Sequence, residues 1–350
     1  MVMGTSTGTS APVPVSRALP EAAARAGTVA ELGSVLSQQL GRVLPHDGYL
    51  LSGFDPVTGA RCFLACENSY SSAARRRMDR ANALGRTRRP VADLLYGPCP
   101  AVVLGAGAQD PGPETLRLHD LMAADDYGSE LCIALSRRGV ARGALVLLRE
   151  RGSRPFSPAE TVRAAELAQP LAAAVTRYVA DKPMRPRQLH LPPAIVVIGK
   201  NDEIAGATSA GRDALRGILP GVYPAADQEL FSFIWHITYT VRRTGTPAIT
   251  RAPTPLGWFS LQAHPLDGAM TGDVVVTLQP APAAELLPAL THWYGITARE
   301  RMVVEGALQG QANKQIARRL DLSPHTVNDH FKAVYRKTGV TSREELVACL

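Results

Sequence analysis

The stretch from Ser323 to Val340, SPHTVNDHFKAVYRKTGV, constrains this chain more than any other segment. Ser323 is a natural N-cap, Pro324 suits a first helical position that needs no amide hydrogen, and Gly339 suits a left-handed stop, so the spacing predicts a helix between them. At 100° per residue, Val327, Phe331 and Val334 fall within about 60° of one another and face inward. His325, Asp329, Lys332 and Arg336 gather near the opposite pole, with Asn328 on one flank and Ala333 on the other. Upstream, YGITARERMVVEGALQG places Thr297 and Glu300 at capping-box spacing, Met302, Val303 and Leu308 give that helix apolar faces, and Gly310 can end it. NKQIARRLDL then sets Ile316 and Leu320 four residues apart on one face of a second helix, and DLS makes a turn. Two helices joined by a short turn, the second cored on one side and hydrogen-bonding on the other, have the geometry that enters a DNA major groove.

These residues carry a resemblance. The segment from Ile296 to Leu350 resembles the DNA-binding domain of LuxR-type (GerE-like) transcriptional regulators through T-x-R-E, N-K-x-I-A-x-x-L, S-x-x-T-V-x-x-H and K-x-G-V-x-x-R-x-E-L. The resemblance implies a four-helix domain with Ser323 to Lys337 as recognition helix and SREELVACL as a fourth helix often used for dimer contact. The side chains expected to face DNA are His325, Thr326, Asn328, Asp329, His330, Lys332 and Arg336, with Lys314, Arg336 and Lys337 assigned to phosphates. One departure bears on base preference: many family members carry a basic residue where Asn328 stands, and Asp329 brings a carboxylate to the DNA side. Asn can pair with adenine and Asp can accept from cytosine N4. From Thr291 to Leu350 nine Lys or Arg stand against six Asp or Glu, so specific contacts rather than bulk charge must carry affinity.

The rest of the chain reads as two α+β units. Val29, Leu32, Val35, Leu36, Leu40 and Leu44 form one apolar helical stripe. GYLLSGFD and RCFLACE read as a hairpin, ELCIALS and GALVLLRE as a second, and Ser157, Pro158 and Glu160 announce a long helix that Pro170 is expected to kink. Helix, hairpin, variable middle, hairpin and long helix over residues 28–180 resemble a GAF domain. DKPMRPRQLHLPP, residues 181–193, has the composition of an extended linker. AIVVIGKNDEIAGA, the helical SAGRDALRGIL, and the strand pair GWFSLQAHPLD and GDVVVTLQPA make residues 194–284 similar to a degenerate PAS-type domain. The expected organisation is therefore multi-domain: a flexible tail over 1–27, a GAF-like sensor over 28–180, the linker, a PAS-like domain over 194–284, and an all-α helix-turn-helix domain over 285–350.

The net charge of +7 permits an anionic partner without requiring one. Five cysteines without regular spacing fit reduced thiols, and neither a signal architecture nor a run of about 18 apolar residues is present, so a cytoplasmic protein is expected. AVVLGAGAQD fails as a dinucleotide loop because Asp110 stands where a small residue belongs and Pro111 interrupts the receiving helix. VVIGKND lacks the spaced glycine and the Ser or Thr of a phosphate loop. Cys62 and Cys66 have the same parity on one strand and read as two small buried side chains sharing a face. His190, His236 and His264 read as ordinary surface or core histidines, and the adjacent Asp125 and Asp126 as a loop. ARRRMDRANALGRTRR, residues 74–89, holds seven arginines and reads as a solvated helix face or loop, with an accessory anion patch as the alternative.

No cofactor and no metal is expected. The partners expected are double-stranded DNA, a second copy of the chain, and an unidentified small molecule in the sensor region, with no membrane. Two other classes stay open: a metabolite-processing enzyme with a DNA-binding tail, and an interaction module that sequesters another regulator.

Overall fold

The computed structural model describes residues 15–83, 91–105, 122–186, 192–218 and 233–350. The first domain begins with α1 (Val15–Arg25) and α2 (Val29–Gly41). Thr28 caps α2 by accepting from the Glu31 amide at 3.1 Å. Strands β1 (Gly48–Phe54), β2 (Arg61–Glu67), β3 (Ala101–Gly105), β4 (Tyr127–Arg137) and β5 (Val140–Glu150) form an antiparallel sheet in the order β2-β1-β5-β4-β3. Helices α3 (Ser72–Ala83) and α4 (Val91–Tyr96) precede β3, and α5 (Pro158–Ala180) closes the domain. The capping box of Ser157 and Glu160 starts α5, which runs unbroken through Pro170. Helix, hairpin, middle, hairpin and long helix thus follow in the expected order.

Both faces of this sheet are covered, which explains its long apolar runs. Tyr49, Leu51, Leu145 and Leu147 pack under the stripe of α2 and the inner faces of α1 and α5. Leu50, Leu64, Val146 and Leu148 face a second core with Tyr70, Ala74, Met78 and Leu94. Gly33 lets α2 lie close, because a Cβ there would stand 2.7 Å from the Tyr49 ring.

The second domain repeats the strand order. Strands β6 (Ala194–Ile198), β7 (Ile204–Ala207), β8 (Ala248–Thr254), β9 (Gly257–Pro265) and β10 (Val274–Pro280) run β7-β6-β10-β9-β8, antiparallel throughout. Helices α6 (Ser209–Ile218) and α7 (Trp235–Thr244) supply Leu215, Ile237 and Val241 to a core with Val196, Ile198, Leu261, Val274 and Val276. The last domain comprises α8 (Ala283–Trp293), α9 (Ala298–Leu308), α10 (Asn313–Leu320), α11 (Pro324–Thr338) and α12 (Arg343–Cys349). Its core continues into the first domain through Trp293, whose ring centroid lies 6.5 Å from that of Phe63.

Several expectations change. Part of the span read as a flexible tail is α1, with Leu19 and Ala23 wholly buried. Part of the linker packs: Met184 is buried and its amide donates to Thr338 O at 3.0 Å. Gly339, at φ +75°, has Pro183 Cα 2.9 Å from where a Cβ would be, so only glycine fits this close approach. Cys62 and Cys66 do not share a face. Gly53 pairs with Phe63 and Phe54 with Arg61, which makes Cys62 the extra residue of a bulge and breaks the parity. Cys62 joins the core beneath α2, and Cys66 packs against the other one.

Within the arginine run, Arg77 and Arg80 are exposed as expected, but Arg76 and Arg80 also reach the second domain. Arg76 donates to Asp202 O at 3.1 Å and lies 5.4 Å over the Trp235 ring, while Arg80 pairs with the Asp202 carboxylate at 3.1 Å. Arg242 holds the same carboxylate from α7. Arg75 is buried, and Asp79 on the same helix pairs with Arg61 at 2.9 Å. A fully buried pair, Asp55 with Arg251 at 2.6 Å, joins the two sheets beside a bond from Thr250 Oγ1 to Arg61 O at 2.9 Å. Arg86, Arg88 and Arg89 lie outside the described residues, as do Asp110, Pro111 and His190.

Candidate nucleic-acid interface

Helix α11 is built as its sequence demands. The Ser323 hydroxyl accepts from the Thr326 amide at 3.0 Å and stands 2.9 Å from the Thr326 hydroxyl, so Thr326 is engaged in the cap. Gly339 ends the helix in the left-handed region. Val327, Phe331 and Val334 are buried at 0%, 3% and 0% exposure against α9 and α10. The opposite face is open: the side chains of His325, Lys332 and Asp329 are 83%, 72% and 54% exposed, and Arg336 and Asn328 are exposed too. His330 is half-buried.

The turn before α11 takes its shape from Asp321, which caps α10 at φ +54°, a conformation that Asp tolerates better than most residues. Leu322 then donates back to Ala317 O at 2.9 Å. Two residues overlooked by sequence reasoning hold the helices together. Asn313 donates from Nδ2 to Asn328 Oδ1 at 2.6 Å and accepts from Arg343 at 3.1 Å, and Arg343 also donates to Gln311 O at 2.6 Å. Arg343 further lies 5.6 Å over the Phe331 ring, so one guanidinium ties α12 to both α10 and α11. Their signal lay in the quoted motif strings, where both occupy fixed letters.

The exposed face is electrostatically mixed. Asp329 lies 3.5 Å from His325 and 3.4 Å from Lys332, contacts worth no more than about 1 kcal/mol in solvent and readily exchanged for contacts to a ligand. Lys314 is exposed in the first turn of α10. Lys337 differs from the other assigned cations. Its Nζ donates to Glu300 Oε2 at 2.6 Å and to Gly295 O at 2.8 Å, so the structure turns it toward α9 and not to the open face. Glu300 meanwhile accepts from the Thr297 amide at 2.7 Å to complete the capping box of α9. Burial pushes the Glu300 carboxyl up, but the bonds from Lys337 and Thr297 and the Lys337 charge outweigh it and hold the group below its usual range. His325, Asp329, Lys332 and Arg336 are therefore brought together, with Asn328 beside them, and Lys337 is not.

Of the histidines weighed as ligands, His236 has Nδ1 3.0 Å from Phe233 O and His264 stands 3.5 Å from Gln262. Among the described residues no group of three His, Cys, Asp or Glu is arranged to hold a metal, and no helix is long and apolar enough to cross a membrane.

Comparison with known proteins bears on the last domain. Residues 295–350 match the family described as bacterial regulatory proteins, luxR family. A putative HTH-type transcriptional regulator of Mycobacterium tuberculosis is 47% identical over 55 residues, which span 16% of this chain and 6% of that protein. The monoamine regulon transcriptional regulator of Klebsiella aerogenes is 44% identical over 62 residues, 18% of this chain and 25% of that one. This chain thus spans a quarter or less of the length of either relative. Among solved structures, the GAF domain of a phosphoenolpyruvate-protein phosphotransferase from Coxiella burnetii is similar over 46% of this chain and 90% of its own. Its 19% identity and TM-score of 0.32 make that a loose likeness which carries no functional weight. The match and the helix geometry agree on one conclusion: residues 295–350 are a LuxR-type helix-turn-helix domain.

Proposed function

We propose that this chain is a sequence-specific DNA-binding regulator of transcription. Helix α11 enters the major groove, and the GAF-like and PAS-like domains modulate that binding. The observation that carries the reading is the division of α11 into a buried apolar face and an open polar one, behind a capped turn. His325, Asn328, Asp329 and Lys332 are the base-facing candidates, flanked by Thr326 and His330, while Lys314 and Arg336 reach phosphates. Lys337 is left out of the contact set because its ammonium is committed to Glu300. Binding is by a dimer, each copy reading one half-site, with half-sites about one helical turn apart. The reading takes the chain as non-catalytic and cytoplasmic, and the ligand of its sensor region is a small molecule.

Selection of bound duplexes from random DNA with the full chain tests this. A two-fold-related motif is expected. Recovery of no motif, with retention as weak as that of an α11 variant carrying His325→Ala and Lys332→Ala, would refute it and favour sequestration of a partner protein. Turnover of a metabolite by the purified chain would refute the non-catalytic reading.

A further inference from the structure

Where the β4–β5 turn of the first domain meets the ends of α5 and α8 lies an open cleft of about 460 Å³. Arg137, Arg138, Arg142 and Arg177 line it, against the single carboxylate of Asp181. That carboxylate is already held by Arg177 at 2.7 Å. Arg142 is the unusual member. It is only 4% exposed, and one amino group donates to His292 O at 3.0 Å. Its guanidinium stacks 5.2 Å over the Trp293 ring, which satisfies its face but not its edge. Among the described residues Nε and Nη1 find no acceptor, nor does the buried indole Nε1 of Trp293.

Burial, with Arg137 nearby, pushes the Arg142 guanidinium down to about 10, as expected of a cation with no anion beside it. A buried guanidinium without a counter-charge is costly, and here three buried donors on two adjoining side chains of the cleft lack an acceptor among the described residues. We propose that this cleft binds a small multivalent oxyanion, a phosphorylated or polycarboxylate metabolite, with Arg142 on its floor and Arg137 and Arg138 at its rim. The sealed edge of Arg142 turns toward the cleft as the anion enters, and guanidinium geometry favours two parallel bonds to such a group.

The cleft suits a small molecule better than a duplex. Its size is that of a metabolite site, and Arg142 lies too deep for a phosphate fixed on a DNA backbone. His292, Trp293, Tyr294 and Gly295 form another wall and lead directly into α9. An anion here would therefore bridge the first domain to the segment that carries the helix-turn-helix.

Thermal unfolding of the full chain, titrated with pyrophosphate against chloride at matched ionic strength, tests the site. A saturable rise in melting temperature is expected, since a ligand that binds only the folded state stabilises it by mass action. The apparent dissociation constant should weaken by about tenfold or more in Arg142→Met and in the doubly substituted Arg137→Ala/Arg138→Ala, whose exposed side chains leave folding intact. Arg216→Ala, on the far domain, should leave it unchanged. A rise that never saturates, or one equal in wild type and the double variant, would overturn the proposal. So would competition in which duplex DNA, but no small oxyanion, depends on Arg137 and Arg138.

Discussion

Lys332 and Lys337 stand five residues apart on one helix, and the structure assigns them opposite consequences. Lys337→Ala removes a charge-assisted bond of 2.6 Å to Glu300 and one of 2.8 Å to Gly295 O. The Glu300 side chain is 7% exposed, so its carboxylate would remain buried with Thr297 beside it and its lysine gone. Bonds to charged groups of this kind contribute about 1.5–3 kcal/mol each, and with partial relaxation the loss should be about 2 kcal/mol. Lys332 is 72% exposed and its ammonium pairs with the exposed Asp329, so Lys332→Ala should change stability by less than about 0.5 kcal/mol. On DNA the order inverts. Loss of a phosphate contact at Lys332 should make the slope of log affinity against log salt shallower by about 0.9, and loss of a base contact should cost about 1–3 kcal/mol on the preferred site. Lys337→Ala should leave the slope alone. The sign of the pH effect gives a second check. The Glu300 carboxyl is held below its usual range, so its contribution is present above the unfolded-state carboxyl value and lost as pH falls through the folded one. The stability gap between wild type and Lys337→Ala should narrow on acidification. Urea unfolding and filter binding across salt concentrations read these quantities. A Lys337→Ala protein of undiminished stability with a shallower salt slope would refute the reasoning.

Three further outcomes follow from other buried or paired groups. Asp55→Ala should cost about 3–5 kcal/mol, because it leaves the Arg251 guanidinium buried and unpaired between the sheets, and the double replacement Asp55→Leu/Arg251→Met should recover much of it. Denaturation of the three variants checks this, and a double variant no better than Asp55→Ala would count against the ion pair as the cause. His236 is pushed down to about 3 by burial and by Arg61, and although part of the residue stays exposed, its Nε2 is sealed. Its neutral form therefore stabilises the fold fully above about pH 6.5, and stability should fall below that by up to about 1.4 kcal/mol per pH unit. His236→Asn should flatten the decline between pH 6.5 and pH 5, and an unchanged unfolding curve would remove His236 as its source. Asp329→Asn should tighten DNA binding generally by removing a carboxylate from the exposed face, while changing preference at one base position by about 1–3 kcal/mol if Asp329 accepts from cytosine. Duplex selection with the variant reads both effects.

What the sequence disclosed were the elements that local chemistry decides. The stripe of α2, the capping boxes of α5 and α9, and the amphipathic α11 each depend on residues within a few positions of one another. Helix α7 escaped because WHITYTVRRT is rich in β-branched and aromatic residues, a composition that favours a strand until tertiary packing overrides it. Strand β8 escaped for the converse reason. AITRAPT has no apolar alternation, and its buried Thr250 and Arg251 bond to Arg61 O and Asp55, nearly two hundred residues earlier in the chain.

The same contrast divides the arginines and lysines. Arg76 and Arg80 looked like a solvated face because the groups that hold them, Asp202 and Trp235, belong to another domain, and no period along α3 reports them. Lys337 was more legible than the basic run suggested. At 100° per residue it lies roughly 90° from the centre of the Val327, Phe331 and Val334 face, whereas Lys332 lies roughly 130° away. A cation a quarter-turn from the core meets the neighbouring helix with its long stem, and Glu300, already fixed at the start of α9 by its capping duty, is the acceptor that waits there. The capping box of α9 and the C-terminal half of α11 are thus one electrostatic unit. The carboxylate that starts α9 also selects which lysine of α11 stays with the fold, while Lys332 remains on the exposed face beside Asp329.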